Sequence, residues 1–227
     1  MDGADVQSMQ DAAVRFPLVK GFTTHPTLMR KAGITDYKAF AEQALDAVKG
    51  LPISFEVFSD DFSGMEREAH VISSWSPNAY VKIPITNTRG ESSCDLISKL
   101  ASEGIKLNVT AILSLKQVEA TISALKKEIP AIVSIFAGRI ADTGRDPIPL
   151  MSKSLSLLEG YPQTELLWAS PRELLNIFQA NDMGCHIITA TPDLVEKLNL
   201  VGKDLEKFSL ETVQMFYKDA CAAGFNL

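Results

Sequence analysis

Only three cysteines occur in 227 residues, Cys94, Cys185 and Cys221. Their odd number and their spacing build neither a disulfide framework nor a metal-ligand set, which fits a reduced, cytoplasmic protein. No P-loop is present, no GxGxxG follows a strand, and no zinc spacing occurs, so the sequence offers no motif for a nucleotide or a metal cofactor. No apolar run approaches the length of a membrane span, and the start lacks a signal-peptide pattern. Positive charge is also in deficit. The 22 Lys and Arg against 28 Asp and Glu leave a net charge of -6. That balance argues against non-specific nucleic-acid binding and against an anionic membrane surface as partners. No linker, low-complexity stretch or charge block interrupts the chain, so residues 1–227 read as a single domain. The 46% apolar and 22% charged content is that of an ordinary globular protein.

What is present is a regular alternation of helix and strand. The apolar periodicity predicts helices over 6–16, 36–49 with Thr35 as N-cap, 60–74, 91–103, 115–128 and 147–159. It continues with 171–181, with Pro171 at the first position, then 192–199 and a C-terminal helix over 210–223. Strands are expected over 18–24, 53–58, 79–87, 106–113, 131–140, 165–170 and 186–191, with a short stub before Asp2. Such alternation means a parallel sheet. Eight units of this size suggest a (β/α)8 TIM barrel with a short first strand, an open doubly wound sheet being the alternative. In a barrel, polar residues at the carboxyl ends of the strands are the functional candidates.

The stretch AYVKIPITN over 79–87 is the most informative of these strands. Lys82 lies among Tyr80, Val81, Ile83 and Ile85, where an unpartnered ammonium is costly to bury. Schiff-base chemistry needs an amine in such surroundings. The alternatives are a strand-end lysine with its stem packed and its head in water, or a structural ion pair with Glu56 on the preceding strand. Other polar residues converge on the same strand ends: Asn108 and Thr110 in KLNVTAIL, Ser134 and Arg139 in the next strand, and Ser170 and Arg172 after ELLWA. Arg139 and Arg172 suit recognition of a phosphate by a guanidinium fork, although Arg139 paired with Asp142 is the simpler possibility. His70 and His186 have no metal-like partners. Trp75 and Trp168 read as packing residues, and Asp60-Asp61 as a charged helix start.

Six segments together resemble the small transaldolase subfamily, which also contains the fructose-6-phosphate aldolases. They are MDGADV at residues 1–6, GFTTHPT at 21–27, VKIPIT at 81–86, Asn108-Val109-Thr110, Gly138-Arg139-Ile140 and Ala169-Ser170-Pro171-Arg172. They run in order over essentially the whole chain. The resemblance implies a TIM barrel and a class I aldol mechanism without cofactor or metal. Lys82 would form an imine with the C2 ketone of a ketose phosphate. Asp2 would take the C4 hydroxyl proton as the C3–C4 bond breaks, and the three-carbon unit left on Lys82 would be passed to an aldose phosphate. Glu56 and Thr110 would hold a water that shuttles protons. Thr24, His25, Asn108, Ser134 and Phe136 would line the substrate, and Arg139, Ser170 and Arg172 would grip its phosphate.

Glu56 and Phe136 are the residues that transaldolases carry, where the resembling aldolases have glutamine and tyrosine. The resemblance therefore implies transfer within the non-oxidative pentose phosphate pathway rather than release of dihydroxyacetone. An aldolase or a catalytically silent sugar-phosphate binder remain the alternatives. Two positions depart from the pattern. His25 stands where the family has asparagine, and imidazole is larger and titrates near neutrality. Only Met1 precedes Asp2, where the family has more strand residues, and a frayed strand would position Asp2 poorly. The resemblance also implies a homo-oligomer, a pentamer or decamer.

Overall fold

The structure, a computed structural model, describes residues 1–225. Seven strands form one parallel sheet in chain order: β1 (Phe22–Thr23), β2 (Ile53–Glu56), β3 (Ala79–Pro84), β4 (Leu107–Ile112), β5 (Ala131–Ile135), β6 (Thr164–Trp168) and β7 (Ile187–Ile188). The helices are α1 (Val6–Arg15), α2 (Pro26–Lys31), α3 (Tyr37–Ala47), α4 (Phe62–Trp75), α5 (Cys94–Ser102) and α6 (Leu115–Ala124). They continue with α7 (Ala137–Ala141), α8 (Ile148–Leu158), α9 (Leu175–Asp182), α10 (Pro192–Glu196) and α11 (Leu205–Ala223). Two compact units result: Met1–Val195, which holds every strand, and a second that begins at Glu196 and contains α11. No helix among the described residues is long and apolar enough to cross a membrane.

The sheet closes through the first three residues. Thr23 N donates to Met1 O at 2.9 Å and Gly3 N donates to Thr23 O at 3.0 Å, a parallel pairing with β1. On the other side Asp2 N donates to Ala190 O at 2.8 Å, just past β7. Residues 1–3 thus occupy the eighth strand position and join the two edges of the seven-stranded sheet, giving the (β/α)8 barrel. The stub is not frayed: hydrogen bonds on both sides hold it.

Period-two alternation sorts the strands into two layers. Ile53, Phe55, Val81, Ile83, Leu107, Val109, Val133, Ile135, Leu166 and Trp168 are fully or almost fully buried, on the sheet face that carries the helices. The opposite residues, Ser54, Glu56, Lys82, Asn108, Thr110 and Ser134, point inward. Near them Ile132, Leu167 and Ala169 form an apolar cluster with Tyr80, Phe136 and Ile187 packed against it. The helices begin where short polar residues satisfy their free N–H groups. Asp36, rather than Thr35, caps α3 by accepting from Ala39 N at 3.0 Å. Asp61 caps α4, and Ser114 and Gln117 form a capping box on α6.

Several boundaries differ from the sequence expectation, each for a local reason. The strand over 18–24 shrinks to β1 because residues 16–19 form a turn, Val19 N donating to Phe16 O. The strand over 131–140 ends at Ile135. Phe136 turns the chain (φ -79, ψ 62) into α7, so Arg139 lies on a helix rather than on a strand. The helix placed at Pro171 begins only at Leu175, after Ser170 takes the left-handed region at φ 61. Helix α2 was not anticipated, although Pro26 at its first position is a start signal. The C-terminal helix begins at Leu205 rather than Leu210, capped by Asp204.

Candidate active site

Lys82 projects from the middle of β3 into the barrel and its side chain is only 8% exposed. Its Nζ lies 3.2 Å from Glu56 Oε2 and donates to the carbonyl of Thr24 at 3.1 Å. The sheet register produces this: Glu56 on β2 and Asn108 on β4 are the two neighbours of Lys82 across the ladder. The lysine is therefore not an unpartnered charge. Nor does it reach water along its stem, since its ammonium is held inside.

Around it runs a continuous polar network. Asn108, fully buried, donates from Nδ2 to Ser54 Oγ at 2.9 Å and accepts at Oδ1 from Ser134 Oγ at 2.6 Å. Ser54 was not singled out in the sequence, yet it stands two residues before Glu56 and so shares its face, a signal the alternation carried. The Thr24 hydroxyl donates to Ser54 O at 3.1 Å, so the group this residue offers toward Lys82 is its carbonyl.

Thr110 differs from these. The β4–β5 register shifts between Val109 and Ile112, and Ala111 adopts φ 61, a left-handed conformation that costs a residue with a side chain about 1–3 kcal/mol. The buried hydroxyl of Thr110, beside this bulge, has no hydrogen-bond partner among the described residues. A buried unsatisfied hydroxyl is unusual, and strain stored next to it is typical of functional positions.

Asp2 is brought to the same strand ends by the closure of the barrel. Its Oδ1 accepts from Thr23 Oγ1 at 2.7 Å, and Thr23 Oγ1 lies 2.7 Å from Thr189 Oγ1. His25 Nε2 is 3.5 Å from its Oδ2. Burial pushes the Asp2 carboxyl up. The His25 contact, the Lys82 charge, the His25 charge and the Thr23 hydroxyl together outweigh it and hold the carboxyl below its ordinary value. Thr23 and Thr189 were missed in the sequence; Thr23 is the first threonine of the same Thr23-Thr24 pair from which Thr24 was chosen. Tyr37 was missed as well. Its hydroxyl donates to the backbone oxygen of Glu56 at 3.0 Å, and burial raises its pKa. The ring packs on Phe55 and Trp75, confirming Trp75 as a packing residue.

The second cluster lies after β5 and β6. Gly138 approaches Ser170 so closely that a Cβ there would stand 1.5 Å from the Ser170 carbonyl oxygen, with Arg172 Nε at 3.3 Å. Glycine is the only residue this contact admits. Asp142 pairs with Arg172, which donates from Nε at 3.0 Å and also from Nη2, and not with Arg139. The Arg139 guanidinium instead stands 5.6 Å from the ring centroid of Phe136. His186 is a packed histidine whose Nδ1 accepts from Leu166 N at 2.9 Å, and His70 lies 3.3 Å from Glu103. Among the described residues no group of three or more His, Cys, Asp and Glu side chains converges as metal ligands would.

Comparisons with known proteins identify the family. The family described as Transaldolase/Fructose-6-phosphate aldolase matches residues 1–227. A probable transaldolase of Dehalococcoides mccartyi is 34% identical over 190 residues, covering 83% of this chain and 84% of that one. One from Methanococcus maripaludis is 34% identical over 212 residues, covering 92% and 94%, and one from Nitrosopumilus maritimus is 35% identical over 204, covering 89% and 85%. Among solved structures, a mandelate oxidase variant with a flavin mononucleotide adduct superposes with a TM-score of 0.56 at 12% identity, covering 96% of this chain and 69% of that one, a likeness of fold alone. A lysine–glutamate pair inside a closed barrel, an acidic residue on the segment that closes it and a whole-chain match of this kind lead to one statement: the chain belongs to the transaldolase/fructose-6-phosphate aldolase family.

Proposed function

We propose that this protein is a transaldolase that moves a dihydroxyacetone unit from a ketose phosphate to an aldose phosphate through an imine on Lys82. The observation that carries the reading is Lys82 itself, buried in the barrel, 3.2 Å from Glu56 and anchored by the Thr24 carbonyl. A structural ion pair would serve stability poorly here, because replacing a buried pair by apolar residues of similar volume is often neutral or favourable. The Thr110 hydroxyl on the neighbouring strand β4 has no partner among the described residues and is available to hold a water.

The steps follow from these groups. The Lys82 amine attacks the C2 carbonyl after giving a proton to Glu56, and the Glu56–Thr110 pair, through a water, returns a proton to the carbinolamine hydroxyl as it leaves. The iminium then draws electrons. The C4 hydroxyl proton passes to the acid/base centre at Asp2, the C3–C4 bond breaks, and the electron pair is held as an enamine. An acceptor such as erythrose 4-phosphate replaces the departed aldose and the steps reverse. The imine is the electron sink, so the chemistry has no step that calls for a metal. Asn108 and Ser134 face the substrate hydroxyls, and Arg139, Ser170 and Arg172 receive the phosphate. With Glu56 a carboxylate and Phe136 without a phenol, free dihydroxyacetone is the disfavoured product. Assembly into a homo-oligomer belongs to the same reading, since α11 leaves Leu210, Val213, Phe216 and Tyr217 exposed; sedimentation velocity measures it.

The test is to incubate the protein with fructose 6-phosphate, with and without erythrose 4-phosphate, and to follow glyceraldehyde 3-phosphate. Release that requires the acceptor is the expected result. Release without it would make the protein an aldolase. No release, and no borohydride-stable adduct on Lys82 in the presence of donor, would reduce it to a sugar-phosphate binder.

A further inference from the structure

We propose that His25 is a catalytic acid/base of this site, forming with Asp2 a dyad in which the carboxylate orients the imidazole and Nδ1 exchanges the proton of the substrate hydroxyl at the bond that breaks. The proposal rests on the Schiff-base reading above and assigns one of its steps to a different atom.

Four observations support it. First, Asp2 Oδ1 accepts from Thr23 at 2.7 Å, while Oδ2 is left facing His25 Nε2 at an ion-pair distance of 3.5 Å. That separation is long for a hydrogen bond, but an apo site often tightens such contacts only when substrate binds. Second, the imidazole is the more accessible partner, its side chain 32% exposed against 17% for Asp2. Third, the ring makes no capping hydrogen bond to α2. With Nε2–H aimed at Asp2, Nδ1 is left with a lone pair for a substrate proton. Fourth, the backbone under the ring is fixed. His25 is extended (φ -158, ψ 158) ahead of Pro26, which disfavours the helical region for the residue before it. The His25 carbonyl accepts from Leu28 N and Met29 N, and the preceding carbonyl, that of Thr24, holds the Lys82 ammonium. The ring therefore stands one residue from the group that positions the nucleophile. Facing it are the Asp2 carboxylate and, beyond it, the Lys82 charge with its partner Glu56; Arg30 and Lys31 lie on its own helix.

The step balances within the enzyme and substrate. Nδ1 takes the hydroxyl proton, the oxygen lone pair closes the new aldehyde carbonyl, the C3–C4 bond breaks, and its electrons neutralise the iminium as an enamine. On addition to the acceptor the imidazolium returns the proton to the new alkoxide.

The experiment compares wild type, His25→Asn, His25→Gln and Asp2→Asn by kcat/KM over about pH 5 to pH 9, spanning the imidazole range. Borohydride trapping of donor on Lys82 is run in parallel. Wild type is expected to lose rate toward the acid end of that range, because the base form of the imidazole is required. Both His25 variants should lack that limb, turn over about 10²–10⁴-fold more slowly and still trap donor. Asp2→Asn should keep the limb but lower the rate across the range, since the imidazole loses the carboxylate that orients it. Full turnover or a retained limb in either His25 variant would overturn the assignment, as would disappearance of the limb in Asp2→Asn. Loss of trapping in the His25 variants alone would also overturn it, placing His25 in imine formation. Failure of wild type to trap donor would instead sink the Schiff-base reading itself, whatever the pH profiles show.

Discussion

Two of the ion pairs at the carboxyl ends of the strands, Lys82–Glu56 and Arg172–Asp142, are built in opposite ways. Lys82–Glu56 is buried, with side chains 8% and 18% exposed, and every neighbour is fixed by strand register. Arg172–Asp142 is open to water, with side chains 48% and 52% exposed, and sits on loops after β6 and α7. The buried pair has lost its hydration and must be held by geometry, which suits the proposed reaction, where a proton moves at a defined atom. The open pair keeps its hydration and is screened, worth about 0–1 kcal/mol as a contact. Its use lies in presenting a guanidinium fork that an anionic group can share. In the proposed reading one pair performs chemistry, and the other orients a ligand by its charge.

The sharpest way to break this contrast is Lys82→Met, which removes the charge while roughly keeping the volume. Glyceraldehyde 3-phosphate release should fall by more than about 10⁴-fold, as when a nucleophile is deleted from a unit that acts together. The same variant leaves Glu56 buried without a cation, a loss of about 3–5 kcal/mol if the carboxylate stays charged. Measured turnover within tenfold of wild type (~1.4 kcal/mol in barrier) would show that the buried pair is merely structural.

Next in size is Gly138→Ala. A Cβ 1.5 Å from the Ser170 carbonyl oxygen cannot be accommodated without displacing the 170–172 segment that carries the open pair. Overpacking of this sort costs about 1–3 kcal/mol, which for a chain of this length lowers Tm by about 2–4 °C per kcal/mol. The Michaelis constant for phosphorylated donor should rise while trapping on Lys82 at saturating donor persists. Thermal melts and the KM-against-kcat split check it. An unchanged KM would separate the Gly138–Ser170 contact from phosphate binding.

A smaller effect distinguishes the two partners of the open pair. Arg172→Ala should raise KM for fructose 6-phosphate about tenfold, the loss of a charge-assisted hydrogen bond of about 1.5 kcal/mol, and the rise should shrink with added salt. Asp142→Asn should shift stability by less than about 1 kcal/mol and leave KM equal or lower, because it releases the fork. If Asp142→Asn weakens donor binding as much as Arg172→Ala does, the carboxylate is positioning the fork rather than competing for it.

Much of the buried pair was legible in the sequence, and less of the open one. Lys82 announced itself as a charge in an apolar strand, and alternation placed Glu56, Asn108, Thr110 and Ser134 on its face. The same alternation also held Ser54, but a serine in a strand has so many local uses that only the observed Asn108–Ser54–Ser134 wiring selects it. The ring closure by residues 1–3 was less visible, because it depends on pairing with Thr23 and Ala190, partners far apart in sequence. The open cluster was misread in detail. The apolar run through Ile135 looked like one strand up to Ile140, and only Phe136, with its non-strand backbone, starts the helix that carries Arg139. The Arg172–Asp142 pair likewise arises from a loop shaped by the left-handed Ser170, a conformation that no serine advertises.

The smallest test applies the contrast of buried and open chemistry to the thiols. Cys185 donates to the carbonyls of Leu166 at 3.4 Å and Ile187 at 3.3 Å, and burial pushes its thiol up to about 11. Cys221 is exposed on α11. Because the thiolate is the reactive species, an aromatic disulfide reagent at about pH 8 should modify Cys221 within its mixing phase and reach Cys185 far more slowly, with Cys221→Ser identifying the fast component. The linkage has a definite sign. A group whose neutral form is favoured in the fold contributes stability that is complete below its unfolded pKa, about 8.5, and is lost as pH rises toward about 11. Cys185→Ser should therefore flatten the decline of stability across that alkaline window, measured by denaturant melts, while Cys221→Ser leaves it unchanged. Equal rates for the two thiols in native protein would mean that the β6–β7 edge opens as readily as the exposed surface of α11. The protection that the barrel gives to Lys82 would then not extend to the strands that close it.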